Sequence, residues 1–475
     1  MKTKILLLVR YLMLHILFIF SKIFNKKKCK LYLIKIFFVK KKIFSNLIKK
    51  NEFINYLKKI YPQDFQINYL YAINFFENCN KKFPILLDKS WKLRQKWLYK
   101  KKIKKYDMGN VAKSTIVGSL GNHFYLANWL LTTEYKLNSY KKTEIIINKK
   151  DKFSNSELFN YFKPKIKLTY DHTIGKKEKE IKEQLTIPLD YAIPLQDNLV
   201  QIHIATNIIN NKKRIKNINK PIFTLSKKHK KIGYSYLKKM GLNKNDWFVT
   251  LHVREGSSKK DYYKERFRNS DINSYLNAIK FITDRGGYVF RMGDKNMSSM
   301  PKLKNVFNYA ASAEKSEILD IFLGAKSKFC IATSSGYYVI PYMFGVPILM
   351  TNSISILDYW LLRENDYFLP RKIFCKRTNK NLKLKQSLNL PYSLITGDLD
   401  YYLKKLEIKI IPNSSEEIDD AVREMFNSLL NRNKIKNDKL NFLFKKTMNK
   451  TMKNYSNLKL NALTKIPKNF LKHNI

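Results

Sequence analysis

The sequence predicts an α/β protein built on doubly wound parallel sheets. Three observations carry this: from about residue 106 apolar runs alternate between strand and helix spacing, the strand runs end in Gly or Thr/Ser turns, and helix caps and stop signals separate them. The pattern is clearest between 246 and 350. There "DWFVTLHV" reads as a strand, and "SDINSYLNAIKFITDRGG" as a helix with Ser270 or Asp271 as N-cap and Gly286-Gly287 as its stop. "YVFRM" is a strand, "AEKSEILDIFLGA" a helix ending near Gly324, and "KFCIAT" a strand. "SSG" is a tight turn, "YYVIPYMFG" a short helix and "VPILM" a strand, which completes a βαβαβαβ series.

Upstream, "STIVGSL" (114–120) runs into Gly118 and Gly121, followed by the amphipathic "NHFYLANWLLTTEYKL" and the strand "KTEIIIN" (142–148). The stretch 170–240 is Lys-rich, with long polar gaps and no clear period. Residues 46–105 read as helices punctuated by Pro62 and Pro84, and "PNSSEEIDDAVREMFNSLL" (412–430) opens with a capping box, Ser414 with Glu417. These boundaries divide the chain into a basic apolar leader (1–45), a helical segment (46–105), a first Rossmann-like domain (106–240), a second (241–430) and a Lys/Asn-rich basic tail (431–475). A length of 475 residues exceeds what one core serves and suits such a division.

The charge is +55, from 92 Lys+Arg against 37 Asp+Glu. Lys is spread evenly and accompanies abundant Asn, Ile, Tyr and Phe, so a compositional bias towards AT-rich codons accounts for most of it, and attraction to an anionic membrane surface comes second. No nucleic-acid-binding signature accompanies the charge, so no nucleic-acid partner is expected. The leader alternates apolar stretches (Ile5–Phe20, interrupted by Arg10 and His15, and Leu31–Val39) with Lys clusters. This predicts a segment lying in the interface of the inner face of a cell membrane, with the protein peripheral and cytoplasmic. Cys29, Cys79, Cys330 and Cys375 stand far apart, with no CxxC and no His at ligand spacing, which predicts neither a disulfide framework nor a zinc site.

In an open parallel sheet ligands bind beyond the carboxyl ends of the strands. Those ends carry His252, Arg254 and Glu255 after the first strand of the series, Arg291 to Asp294 after the second, and Thr333, Ser334, Ser335 and Gly336 after the third. Small hydroxyl residues and Gly opening a helix offer free amides to an anion, and an arginine beside them offers a fork for phosphate oxygens. His252 and Arg254, two apart, share one face. The group reads as a diphosphate cradle. "GDLDYYL" contains a DxD, Asp398 and Asp400, but it precedes a helical stretch and fits N-capping.

Here "HVRE", "FRNSDINSYLNAIKFITDRGGYVFRMGD" and "EILDIFLGAKSKFCIATSSGYYVIPYMFGVPILMTN" resemble a family of bacterial glycosyltransferases with an HxR motif, similar more distantly to the fucosyltransferase superfamily. The matching positions are His252-Val253-Arg254, Leu319-Asp320-Ile321 and Thr333-Ser334-Ser335, within about 246–352. The resemblance implies a GT-B fold, with the acceptor held by the first domain and the donor by the second. It implies that Arg254 binds the donor β-phosphate, that His252 and Asp320 lie at the base, and that Ser334 and Ser335 meet the diphosphate. Arg291, Asp294, Thr333 and Gly336 complete the donor set, and Gly121, Asn122 and Glu255 face the acceptor cleft. His123 would face the same cleft as general base, with Asn122 and Glu255 as rivals. The family often has an acidic residue three positions after the arginine. Ser257 stands there, so the donor sugar and base stay open.

The predicted activity is metal-independent, inverting transfer of a sugar from a nucleotide-diphosphate donor, a GDP-sugar among the candidates, to a cell-surface polysaccharide or glycolipid. No cofactor beyond this co-substrate is expected. The alternative is a non-catalytic, membrane-attached basic protein that binds anionic glycans or nucleotides.

Overall fold

In the computed structural model the described residues are 54–475 without 56, 60, 78–81, 101–110, 114–117, 138–142, 148–150, 174–191, 196–197, 217, 219, 257–267, 299, 388–389, 391–402, 431–437 and 453–459. The expected leader, Ser257, Asp398, Asp400, Cys29, Cys79 and most of the 114–120 strand lie outside them.

A helical pair, α1 (Phe65–Glu77) and α2 (Phe83–Lys100), precedes the first sheet. Pro84 falls in the first turn of α2, where its missing N–H costs nothing. Strands β1 (Val111–Lys113), β2 (Thr143–Ile147) and β3 (Ile166–Tyr170) pair in parallel in the order β1-β2-β3. Helix α3 (His123–Glu134) joins the first two strands and α4 (Ser156–Phe162) the last two. An antiparallel hairpin follows, β4 (Ala192–Leu195) with β5 (Asn198–Gln201). Double winding was expected of both sheets, but the first runs in one direction only among the described residues.

The Lys-rich stretch without a clear period contains α5 (Ile202–Ile215) and α6 (Lys227–Lys239). Both bury one face, but that face carries polar side chains among the apolar ones, His203, Thr206, Asn207 and Asn210 in α5 and His229 in α6, which breaks up the apolar run. Helix α6 was placed in the first domain, yet it packs on a helix of the second. Gly233 lies against the ring of Phe322, so close that an added Cβ would sit 2.0–2.3 Å from ring carbons.

The second sheet has six parallel strands: β6 (Phe248–His252), β7 (Tyr288–Arg291), β8 (Val306–Phe307), β9 (Cys330–Thr333), β10 (Ile348–Ser353) and β11 (Tyr367–Pro370). Their spatial order is β11-β10-β9-β6-β7-β8, which is the doubly wound order with its reversal between β6 and β9. Every residue of β6, β9 and β10 is buried, as expected of strands covered on both faces. Helix α7 (Leu276–Thr283) starts after a 3-10 turn capped by the Asp271 side chain, and the chain leaves it through Gly286 at φ +74°. Helix α8 (Glu317–Lys326) is capped by Ser316 and runs two residues past Gly324. A 3-10 turn, Gly336–Tyr338, leads into the short α9 (Val339–Met343).

Beyond the sheet lie the small antiparallel set β12 (Lys372–Cys375), β13 (Lys380–Asn381) and β14 (Ile408–Ile411), with the short α10 (Leu384–Ser387) between the last two. Helix α11 (Ser415–Leu430) opens with the expected capping box, each of Ser414 and Glu417 binding the other's backbone N–H, at 3.0 and 3.2 Å. Helices α12 (Lys439–Met452) and α13 (Lys468–Asn474) follow. The segment read only as a basic tail is therefore packed in its described parts, where Phe444, Met448, Ile466 and Leu471 are buried.

The two sheets are joined by side chains that satisfy each other's helix ends. The Glu317 carboxylate, from α8, accepts the Ser156 and Glu157 N–H groups at the start of α4, at 2.9 and 3.1 Å, and the Ser156 hydroxyl at 2.6 Å. Glu157 in turn lies 3.1 Å from His229 Nε2, whose Nδ1 meets the Tyr161 hydroxyl at 2.8 Å.

Replacing Gly233 with Ala sets helix propensity against overpacking. Propensity favours Ala by about 1 kcal/mol, while forcing a methyl into the fully buried Phe322 ring costs about 1–3 kcal/mol or more. Urea unfolding of Gly233→Ala is expected to show a net loss of about 1–2 kcal/mol.

Candidate functional site

The reversal of strand order opens a crevice beyond the ends of β6 and β9. His252 pairs in register with Ala332, and two residues on the Arg254 N–H donates to Thr333 Oγ1 at 3.0 Å. The expected cluster is thus brought together in part, with His252, Arg254, Thr333 and Ser334 converging.

His252 is buried, and its ring stacks on Tyr337 with centroids 5.3 Å apart and planes 14° from parallel. Its Nδ1 has no hydrogen-bond partner among the described residues. Burial, followed by the positive charges of Arg254, Lys315 and Arg268, pushes its pKa down to about 4. At neutral pH the crevice therefore holds a neutral imidazole among three cationic side chains. Two of these, Arg268 and Lys315, were not singled out from the sequence.

Arg254 donates to the Asn269 side-chain oxygen, and Arg371 fixes that same loop by binding the Asn269 carbonyl at 2.6 Å and the Ser270 hydroxyl at 3.1 Å. Arg268 Nε donates to the Ser334 carbonyl at 2.9 Å. Lys315 pairs with Asp320 at 2.9 and 3.0 Å, while burial raises the Asp320 pKa against the pull of that lysine. Ser334 donates to Asp358 Oδ2 at 3.2 Å, as Ser353 does at 2.7 Å, and Asp358 Oδ1 lies 3.8 Å from His203 Nε2 on α5. His203 and Asp358 are further site residues that sequence reasoning missed, because they come from distant stretches with no shared motif.

Several expected roles are corrected. Arg291 is fully buried and does not face the crevice. Its guanidinium binds Glu255 at 2.8 Å and the Ser298 carbonyl at 2.7 Å, and the Ser298 N–H closes the ring onto Glu255 at 2.8 Å. Glu255 is thus a tether for the loop after β7 rather than an acceptor-facing group, and removing either partner would leave a buried charge uncompensated. Asp294, on that loop, is exposed to solvent.

His123 is fully buried, with Nδ1 3.1 Å from the Ser119 carbonyl and its ring against Phe159 and Phe162. Burial lowers its pKa to about 4, so it is a core histidine and not a cleft base. Asn122, at the start of α3, makes no side-chain cap bond and is half-buried, as is Gly121.

The Gly-containing turn of the first sheet touches the Thr/Ser turn of the second. A Cβ on Gly336 would sit 2.8 Å from the Gly121 nitrogen, so the two turns meet backbone to backbone and only glycine fits. Ser335 precedes the 3-10 turn without capping it through its side chain. The helix that follows is only Val339–Met343, too short for a large dipole, so the positive potential of the crevice comes from its arginines and lysine.

No protein-family model matches the sequence, and no curated protein matches it. Among solved structures, the crystal structure of a glycosyl transferase family 9 protein from Veillonella parvula is 11% identical, covering 67% of this chain and 96% of that one, with a TM-score of 0.35. Among the described residues no group of side chains is arranged to hold a metal ion, and no helix is long and apolar enough to cross a membrane.

The two neutral histidines make stability depend on pH. In the unfolded chain each takes a proton as pH falls through about 6.5, whereas the folded chain resists until about 4, so stability falls with falling pH across that window. His123→Phe is expected to flatten the slope of unfolding free energy by about 1.4 kcal/mol per pH unit between those limits. Urea titrations at several pH values, compared with wild type, read the difference directly.

Proposed function

We propose that the protein is a nucleotide-sugar-dependent glycosyltransferase whose donor diphosphate binds in the crevice between β6 and β9. The observation that carries this reading is the meeting of Arg254, bonded to Thr333 Oγ1, and Arg268, bonded to the Ser334 carbonyl, at the two strand ends where a doubly wound sheet reverses. Arg254 grips the phosphates with a guanidinium held in place by Asn269, and Arg371 holds that loop from behind. As the glycosidic bond breaks, negative charge accumulates on the leaving diphosphate, and the fixed guanidinium groups stabilise it without reorganising. Neutral His252, stacked on Tyr337, adds a flat polar surface that carries no competing charge.

The donor is a sugar nucleotide, with GDP-sugars among the candidates, and the acceptor a surface glycan or glycolipid approaching from the side of the Gly121 turn. His203 and Asp358, linked to the donor side through Ser334, are the groups best placed to take the acceptor's proton. This chemistry uses the protein's own cations and calls for no metal. The basic, apolar leader suits attachment to the inner face of a membrane, where a lipid-linked acceptor would be found.

Calorimetric titration of the full chain with GDP, UDP, dTDP, ADP and CMP tests this. One nucleoside diphosphate is expected to bind wild type, and Arg254→Ala to lose about 2–4 kcal/mol of that binding. Binding to duplex DNA should be unchanged, since Arg254 is one of 92 cationic side chains. Nucleotide binding without slow hydrolysis of the matching nucleotide sugar would favour a non-catalytic binder. No binding, or equal binding by Arg254→Ala, would remove the crevice as a donor site.

A further inference from the structure

Far along the chain from the crevice residues, α12 has two faces of opposite character. One is anchored in the core through Phe444 and Met448. The other exposes Phe442 (68%) and Leu443 (54%), two adjacent large apolar side chains open to water. The same helix exposes Lys439, Lys446 and Lys450 and contains no Asp or Glu.

Hydrogen bonds tie α5 to this helix through the chain at 461–463. Asn207 and Asn211 bind the Asn461 carbonyl at 3.0 and 2.9 Å, Ala462 donates to Asn449 Oδ1 at 2.8 Å, and Lys445 donates to the Leu463 carbonyl at 2.6 Å. Residues 461–463 therefore strap α5 to α12. Ile215, 75% exposed, stands at the end of α5 between exposed Arg214 and Lys216. Cationic groups crowd here. The Lys445 ammonium is pushed down to about 8 by burial and by the nearby charges of Lys465 and Arg214, against the pull of Glu364 and Asp438.

We propose that the exposed face of α12 docks on an anionic membrane surface, with Phe442 and Leu443 entering the headgroup–acyl boundary and Lys439, Lys446 and Lys450 meeting lipid phosphates. The occupant follows from both halves of the pattern. A soluble polyanion would pair with the lysines but leave two large apolar side chains in water, whereas an anionic bilayer takes both. A second copy of the chain would bring like-charged faces together, in a protein of net charge +55. Phe442, Leu443 and the three lysines all lie on one helix of the folded protein, separate in sequence from both the crevice residues and the leader.

The test uses the full chain and vesicles of phosphatidylcholine with or without phosphatidylglycerol. Because the chain has five native tryptophans, Leu443→Trp is read as the difference from wild type titrated in parallel, which isolates the indole on α12. Its emission is expected to shift blue, and to be quenched by brominated phosphatidylcholine, only when phosphatidylglycerol is present. Phe442→Ser combined with Leu443→Ser, at exposed positions that leave the core intact, should weaken vesicle binding roughly tenfold. Each of Lys439→Gln, Lys446→Gln and Lys450→Gln should weaken it about fivefold.

Sedimentation with vesicles while the indole stays in water would show that another segment docks and overturn the proposal. So would a response to soluble polyphosphate in place of vesicles, equal binding to neutral vesicles, or no vesicle binding.

Discussion

The architecture depends on the pairing of β6 with β9. The order in which the parallel strands are added reverses between these two, so neither connection covers the space beyond their carboxyl ends. The Arg254 N–H bond to Thr333 Oγ1 ties the two ends together just past the last ladder contact and sets the width of the crevice. Everything that gives the site its character hangs from those two ends: the stack of His252 on Tyr337, the Arg268 bond to Ser334, and the contact of Gly336 with Gly121.

Arginine has a distinct structural role in a chain that uses lysine almost everywhere else. Arg254, Arg268, Arg291, Arg363 and Arg371 all donate to oxygen acceptors, the last three to several at once, and Arg363 alone reaches Asp366 and the Tyr342 and Val346 carbonyls. A lysine offers one point charge and cannot span such sets. Two arginines and Lys315 close to His252 also explain why that histidine stays neutral, since both burial and like charge oppose a proton there.

The two sheets act as one scaffold because each completes the other's unsatisfied groups. Glu317 caps α4 from across the boundary, Glu157 answers through His229, and two glycine turns meet without side chains between them. These contacts hold the first sheet's turn against the crevice, which lets residues from α5 and from the turn after β10 reach the same place through His203 and Asp358.

Much of the second sheet was legible in the sequence because its strands are short, wholly buried apolar runs closed by cap and stop residues whose local chemistry is self-contained. The Ser414–Glu417 box, the Gly286 exit and the His252–Arg254 strand end were all readable this way. Helices α5, α6 and α12 were not, because few apolar residues mark their buried faces and polar ones are buried beside them, such as Asn207 and Asn210 in α5, His229 in α6 and Asn441 in α12.

The sequence by itself determined the parallel α/β character of the chain and which residues end its strands, since spacing and capping are local properties. Only the tertiary structure decided which of those residues meet. It turned Arg291 inward onto Glu255, sank His123 among Phe159 and Phe162, and brought Arg268, Lys315, His203 and Asp358 to the crevice. The reason is physical: burial and pairing are fixed by strand order and by contacts between distant segments, and neither leaves a trace in the spacing of neighbouring residues.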